Sequence, residues 1–204
     1  MKTKLYLAMA LSVLFAVNGC KKDDDGGGTP NLSIDSDPQT EFKLDGTTVT
    51  FNTTNSDVSQ YFSNSYSLAT PPDTSECVYG AGFEKNSTSG LSIDKGTYRL
   101  IVYPTDSAAL VNFFKKQSYS YSIDAENGIS ITYYDDAGDP WSTSLGSGDQ
   151  SGSTFTIEDT KYQELLGDKY IRVKAKFSCK VYSTAGDVKN ITNGVAVLDY
   201  WAEY

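Results

Sequence analysis

The chain of 204 residues sets 17 Lys and Arg against 26 Asp and Glu, a formal net charge of -9, and contains no histidine and three cysteines. The missing histidine excludes Ser-His-Asp and Cys-His catalytic units and every His-ligated zinc or iron site. The acidic balance argues against a nucleic-acid partner, which needs a broad basic footprint.

Met1–Lys4 is basic, Leu5–Val17 is an apolar run too short for a stable membrane span, and Asn18-Gly19-Cys20 follows. This order is that of a secretory signal peptide. The run V-N-G-C resembles a bacterial lipobox, which implies removal of residues 1–19 and acylation of Cys20. Residues 20–38, rich in Asp and Gly, can bury little and are expected to form a flexible tether. Lys21-Lys22-Asp23-Asp24-Asp25 directly after the cysteine resembles the export signal of surface lipoproteins of the Bacteroidetes type. That resemblance implies a lipid-anchored protein of the outer membrane with its domain facing outward.

Residues 39–204 are expected to form one domain. Glu41–Phe51 is read as a hairpin on Asp45-Gly46, a pair that accepts positive φ at low cost. Closing there pairs Phe42 with Val49 and Leu44 with Thr47, and puts Phe42, Leu44, Val49 and Phe51 on one face. Asn52–Asp73 is polar and reads mostly as loop, with a short strand near Tyr66–Ala69. Strands are expected at Cys77–Phe83, Leu91–Ile93 and Thr97–Tyr103. Thr105–Gln117 is the one helical segment: Thr105 or Asp106 can cap it, and Leu110, Phe113 and Phe114 share a face.

Tyr119–Ile123, Gly128–Tyr134, Trp141–Ser144 and Thr154–Glu158 continue the strands. Tyr170–Tyr182 is the strongest of them. Ile171, Val173, Ala175, Phe177, Cys179 and Val181 alternate with a basic stripe of Arg172, Lys174, Lys176 and Lys180, which predicts one apolar and one wet face. Val188–Thr192 and Gly194–Tyr204 close the chain. Many short strands with at most one short helix predict an all-β domain, a two-sheet antiparallel β-sandwich, with a lipocalin-like β-barrel as the alternative.

The segments F-K-L-D-G, Y-Y-D-D-A-G-D-P-W, S-T-F-T-I-E-D, K-A-K-F-S-C and N-I-T-N-G, in that order, resemble a group of Bacteroidetes lipoprotein domains of unknown function. The resemblance covers most of Phe42–Gly194 and implies an all-β domain at the cell surface. It carries over no catalytic residue. The chain departs from it at Lys174–Lys176, where such domains often have Gly, and in its longer ending.

Candidate sites follow from residue type. Tyr133, Tyr134, Trp141, Tyr200 and Trp201 could stack on sugar rings, or fill a sandwich core. Arg172, Lys174 and Lys176 could meet an anion, or pair with neighbouring carboxylates. Asp135, Asp136 and Asp139 could offer oxygens to Ca²⁺, but lack a full calcium loop and suit a tight turn better. Cys77 and Cys179 are candidates for a disulfide, or remain two buried thiols. Asp106-Ser107-Ala108 resembles an O-glycosylation acceptor of Bacteroidetes secreted proteins, with Ser107 as the acceptor, and equally suits a helix start. No cofactor and no metal site is expected. The expected function is a non-catalytic binding module for a glycan or another extracellular ligand. A structural or adhesive subunit contacting surface proteins is the alternative, and a carboxylate-based glycoside hydrolase ranks third.

Overall fold

The computed structural model describes residues 31–70, 74–100, 107–122 and 128–202. Cys20 and the signal segment, the Pro71-Pro72 run, the Thr105-Asp106 cap and residues 123–127 lie outside them.

Strands β1 (Gln39–Leu44) and β2 (Thr47–Asn52) meet at Asp45 and Gly46, whose φ values are 47° and 87°. Phe42 faces Val49 and Leu44 faces Thr47, the register that such a turn dictates. The next segment holds β3 (Val58–Phe62) and β4 (Ser65–Ser67) where composition predicts mostly loop. Only Val58 of β3 is buried, so this strand has almost no apolar alternation to read.

Strands β5 (Ser75–Lys85) and β6 (Ser89–Leu100) pair along most of their length. The two separate strands expected within Leu91–Tyr103 are therefore one, with a register shift where Tyr79 faces Lys95 and Cys77 faces Tyr98. Helix α1 (Ser107–Phe113) buries Leu110 and Phe113, as its spacing predicts. Then follow β7 (Ser118–Tyr121), β8 (Gly128–Tyr134), β9 (Pro140–Ser142), β10 (Thr154–Leu165), β11 (Asp168–Tyr182) and β12 (Val188–Trp201). Strand β10 runs on past Glu158, where the expected strand stops, and turns at Leu166-Gly167, both at positive φ (57° and 96°).

The strands form one sheet in the order β2-β1-β12-β11-β10-β7-β8-β6-β5-β3, with β4 on β5 and β9 bridging β8 and β11. The sheet folds into a sandwich-like all-β body. Strands β2-β1-β12-β11-β10 make one layer and β8-β6-β5-β3 the other. Rings reach across: Phe42 packs edge-on to Tyr133 at 6.0 Å, and the Tyr200 hydroxyl donates to the Ile93 carbonyl at 3.2 Å. Two details differ from a plain antiparallel sandwich. Short β7 and β9 stitch the layers into one hydrogen-bonded sheet, and β7 pairs with β8 in parallel.

In β11, Ile171, Val173, Ala175, Phe177, Cys179 and Val181 are all buried, so the alternation reads true. Its partner β12 is one strand rather than two, interrupted by a bulge. Phe177 faces Gly194 while Cys179 faces Ile191, and Asn193 takes φ 53°. The extra residue explains why N-I-T-N-G sits inside a strand: Asn tolerates the left-handed conformation, and Gly194 leaves room for a ring. A Cβ on Gly194 would lie 2.5–2.7 Å from three atoms of the Phe177 ring.

Residues 31–38, expected within the tether, are partly held against the outer face of β10 to β12. Asp35 pairs with Lys161 at 2.6 Å, and Arg172 donates to the Ser36 carbonyl at 3.3 Å.

The bulge yields a prediction. Phe177 lies between Phe42 and Phe155, each 6.3 Å away, so its ring cannot retreat freely. Gly194→Ala should destabilise the fold by about 1–3 kcal/mol, the usual range for overpacking, as read by urea unfolding. Adding Phe177→Leu should recover part of that loss. A Gly194→Ala protein as stable as the parent would refute the packing account.

Candidate functional site

Strand β5 reads Tyr79-Gly80-Ala81-Gly82-Phe83. The side chains of Tyr79, Ala81 and Phe83 point into the core and are at most 1% exposed. Alternation leaves Gly80 and Gly82 on the opposite, outer face. Strand β6 adds Gly90 beside them, with Ser92 and Asp94 on the same face. The result is a trough, because two successive outward positions of β5 and one of β6 carry no side chain.

The walls lean over this bare floor. Tyr61 of β3 faces Gly82, and a Cβ there would lie 2.7 Å from the Tyr61 ring, so the ring can lie across the strand only because residue 82 is glycine. The Tyr61 hydroxyl bonds with Ser92. Ser63 covers Gly80, where a Cβ would also come within 2.6 Å of the Asp94 carboxylate. On the far side, β8 sets Thr132 opposite Ser92 and Tyr134 opposite Gly90. Two adjoining hollows of about 470 and 250 Å³ share Tyr61 and Tyr134 as walls. The larger falls within the usual size of small-molecule sites.

Hydroxyls dominate the lining of the larger hollow: Ser63, Ser65, Ser92, Thr97 and Thr132. Asp94 sits half-buried among them and accepts the Ser92 hydroxyl at 2.9 Å. Burial raises its pKa above the ordinary carboxylate value, against the opposing effect of hydrogen bonds from Ser92 and Ser63. Glu84 lines the smaller hollow. No Lys or Arg lines either one. Asp94 faces Gly80 and Glu84 faces Gly90, which puts the two acids four residues apart along the strands, roughly 13 Å between Cα atoms.

The sequence-derived candidates divide. Tyr134 is at the groove. Tyr200 is 2% exposed and packs against Phe114 at 4.6 Å, so it is a core residue and no platform. Tyr133 is likewise buried. Trp141 faces Tyr133 across β8 and β9, which puts it on the core side, away from Tyr134. Its indole N–H donates to Asp135 at 3.1 Å, and Lys189 covers its ring at 3.7 Å. Trp201 lies beside Tyr170 at the end of β12, outside the groove.

The basic stripe is already occupied. Arg172 grips Asp199 through two bonds of 2.8 Å, Lys174 and Lys176 share Glu158 at 3.2 and 2.7 Å, and Lys180 meets Asp149 at 2.8 Å. Asp135 is a turn residue, accepting the Ala137 and Asp139 amides at 3.1 Å. Among the described residues no acid cluster could hold a metal ion. Cys77 and Cys179 are not bridged; both are free, buried thiols on strands that are not neighbours in the sheet. Cys77 bonds locally with Tyr79 and Tyr66, and Cys179 with Tyr121, while burial pushes each thiol up to about 12. Ser107 is exposed at the start of α1.

Sequence reasoning missed Tyr61, Ser63 and Asp94. The alternation of Gly with large residues in β5 was the available signal, since glycines on one face of a strand mark close approach by something else.

Compared with protein-family models, with curated proteins and with solved structures, the chain matches none.

Asp94 gives a pH prediction. Its folded pKa is raised, so the folded chain holds this proton more tightly than the unfolded chain. The ionised carboxyl therefore costs stability at neutral pH, and that cost fades as pH falls through the raised value toward about 3.9. Asp94→Asn should melt higher than the parent at neutral pH, with the gap narrowing on acidification. Thermal melts across that range check it; a gap independent of pH would contradict it.

Proposed function

We propose that this chain is a non-catalytic binding module that holds a saccharide in the groove between Tyr61 and Tyr134. The observation that carries the reading is the glycine floor, which leaves two tyrosines, a row of hydroxyls and a recessed carboxylate facing one trough. Aromatic rings give broad apolar contact to the C–H face of a sugar, while hydroxyls and a carboxylate bond its rim. Such groups are of little use to an apolar ligand, which would leave them unpaired at a cost.

The spacing of the acids supports binding over hydrolysis. Glycoside hydrolysis needs two carboxyl groups about 5–10 Å apart across the scissile bond, whereas Asp94 and Glu84 line separate hollows with roughly 13 Å between their Cα atoms. The lipobox at Cys20 and the acidic run after it support delivery to the outer membrane on a lipid anchor, facing outward. An adhesive role finds less support. The large exposed apolar side chains fall in three stretches of chain: Phe62, Tyr66 and Leu68 around β3 and β4, Leu165 and Leu166 at the turn after β10, and Val188 at the start of β12. Exposed apolar residues in ones and twos are ordinary on a protein surface.

A glycan array followed by calorimetric titration tests the reading. Tyr134→Ala should weaken saccharide binding by about tenfold or more, roughly 1.4 kcal/mol, with little change in melting temperature. Trp141→Ala should do the reverse, lowering stability and sparing affinity. Binding that survives Tyr134→Ala but fails in a still-folded Trp141→Ala would place the site elsewhere.

A further inference from the structure

We infer that the groove selects saccharides bearing a free, protonated amine, with the ammonium seated at Asp94; this rests on the saccharide-binding reading above. The inference starts from charge bookkeeping on the page. On the opposite layer, the described cations near acids are consumed: Arg172 by Asp199, Lys174 and Lys176 by Glu158, Lys180 by Asp149. In the groove the situation is inverted. Asp94 lies near one end and Glu84 near the other, and neither hollow is lined by a cation. Lys85, next to Glu84 in the chain, pairs with Asp57 at 3.7 Å. Lys95, next to Asp94, points the other way into the core, where it sits 3.8 Å over the Phe113 ring.

The chemistry around Asp94 fits an ammonium better than a hydroxyl. The Ser92 Oγ spends its proton on Asp94 at 2.9 Å, takes the Tyr61 hydroxyl on one lone pair and keeps the other for a ligand donor; Ser63 bonds the same carboxylate. An ammonium offers three donors, so one group can meet the carboxylate and both hydroxyl oxygens. Partial burial makes the ionised carboxylate costly alone, and a cation beside it offsets that cost. The net charge of -9 adds a long-range attraction for cationic ligands that salt would screen.

A cationic peptide is the competing occupant, and the placement of the groove disfavours it. Strands β5, β6 and β8, which floor the trough, are each paired on both edges, while β3, at the wall, ends the sheet; the floor itself is a sheet face with no free edge. Peptides bound in extended form draw their affinity from main-chain bonds to such an edge. The floor offers side chains alone, and those of the larger hollow are mostly hydroxyls and rings.

The test titrates the full chain, at neutral pH and low salt, with three probes: a glucosamine trisaccharide, its fully N-acetylated counterpart and a tri-lysine peptide. The amine sugar should bind at least tenfold more tightly than the acetylated one, and added salt should erode that advantage. Asp94→Asn should abolish the preference, weakening the amine sugar far more than the acetylated one, and Glu84→Gln should reduce it less. Equal affinity for both sugars, lost in Tyr134→Ala, would overturn the amine inference and leave the saccharide groove standing. If neither sugar bound, both would fall. Tri-lysine binding as tight as the amine sugar would overturn the inference in favour of cation capture without a sugar.

Discussion

In β5 the two faces of one strand carry opposite loads. Tyr79 and Phe83 face the core and are 1% exposed, while Gly80 and Gly82 face outward and carry nothing. Glycine within a strand costs about 0.5–1 kcal/mol each in conformational freedom, and burying a large ring contributes about 1.5–3 kcal/mol. The inward rings therefore outweigh the outward gaps, and the strand holds despite its bare side. That surplus is what lets the outer face be hollow. Tyr61 can recline, Ser63 can reach Asp94, and β8 can present Tyr134 across the gap, all without leaving a weak seam in the sheet.

Charge is distributed by the same geometry. The outer face of β10 to β12 gathers its cations next to acids, so a stripe that looks like an anion site is largely offset in place, four cations against three acids. Its best-shielded member is Arg172 with Asp199, at 17% and 11% side-chain exposure and two parallel bonds, with Gln163 adding a third bond to Asp199. A pair so enclosed is costly to break from one side, because a lone charge would be left behind. Residues 31–38 lie along this same face, joined through Arg172 and Lys161. The excess of negative charge is thus left for other surfaces, the groove among them.

Strongly patterned elements were legible from residues alone. The Asp45-Gly46 hairpin keeps its register to the residue, because turn chemistry and alternation agree there. The apolar face of β11 is also as expected, because burial on one side only leaves a clean period of two. Strand β3 was hidden for the opposite reason: Ser59 is exposed, Gln60 reaches the Asp199 carbonyl of β12 and Tyr61 leans over the groove, so no apolar period marks them. The pairing of β7 with β8 and the bulge at Asn193 depend on neighbours distant in sequence, which local pattern cannot supply. Tyr134 and Tyr200 look alike in sequence, but alternation within their strands sends one outward and the other inward. Much of the groove comes from residues that looked like loop, so only one of its tyrosines was within reach of the sequence.

The two cysteines of the described domain bear on its sulfur chemistry. Disulfide exchange runs through the thiolate, and thiols pushed up to about 12 by burial are ionised at neutral pH in only about one molecule in a hundred thousand. Each is also enclosed, at 1% and 4% exposure. An enclosed, protonated thiol is a poor partner in exchange, so both sulfurs sit as small core residues, and the described domain carries no cross-link between them to match or to lose.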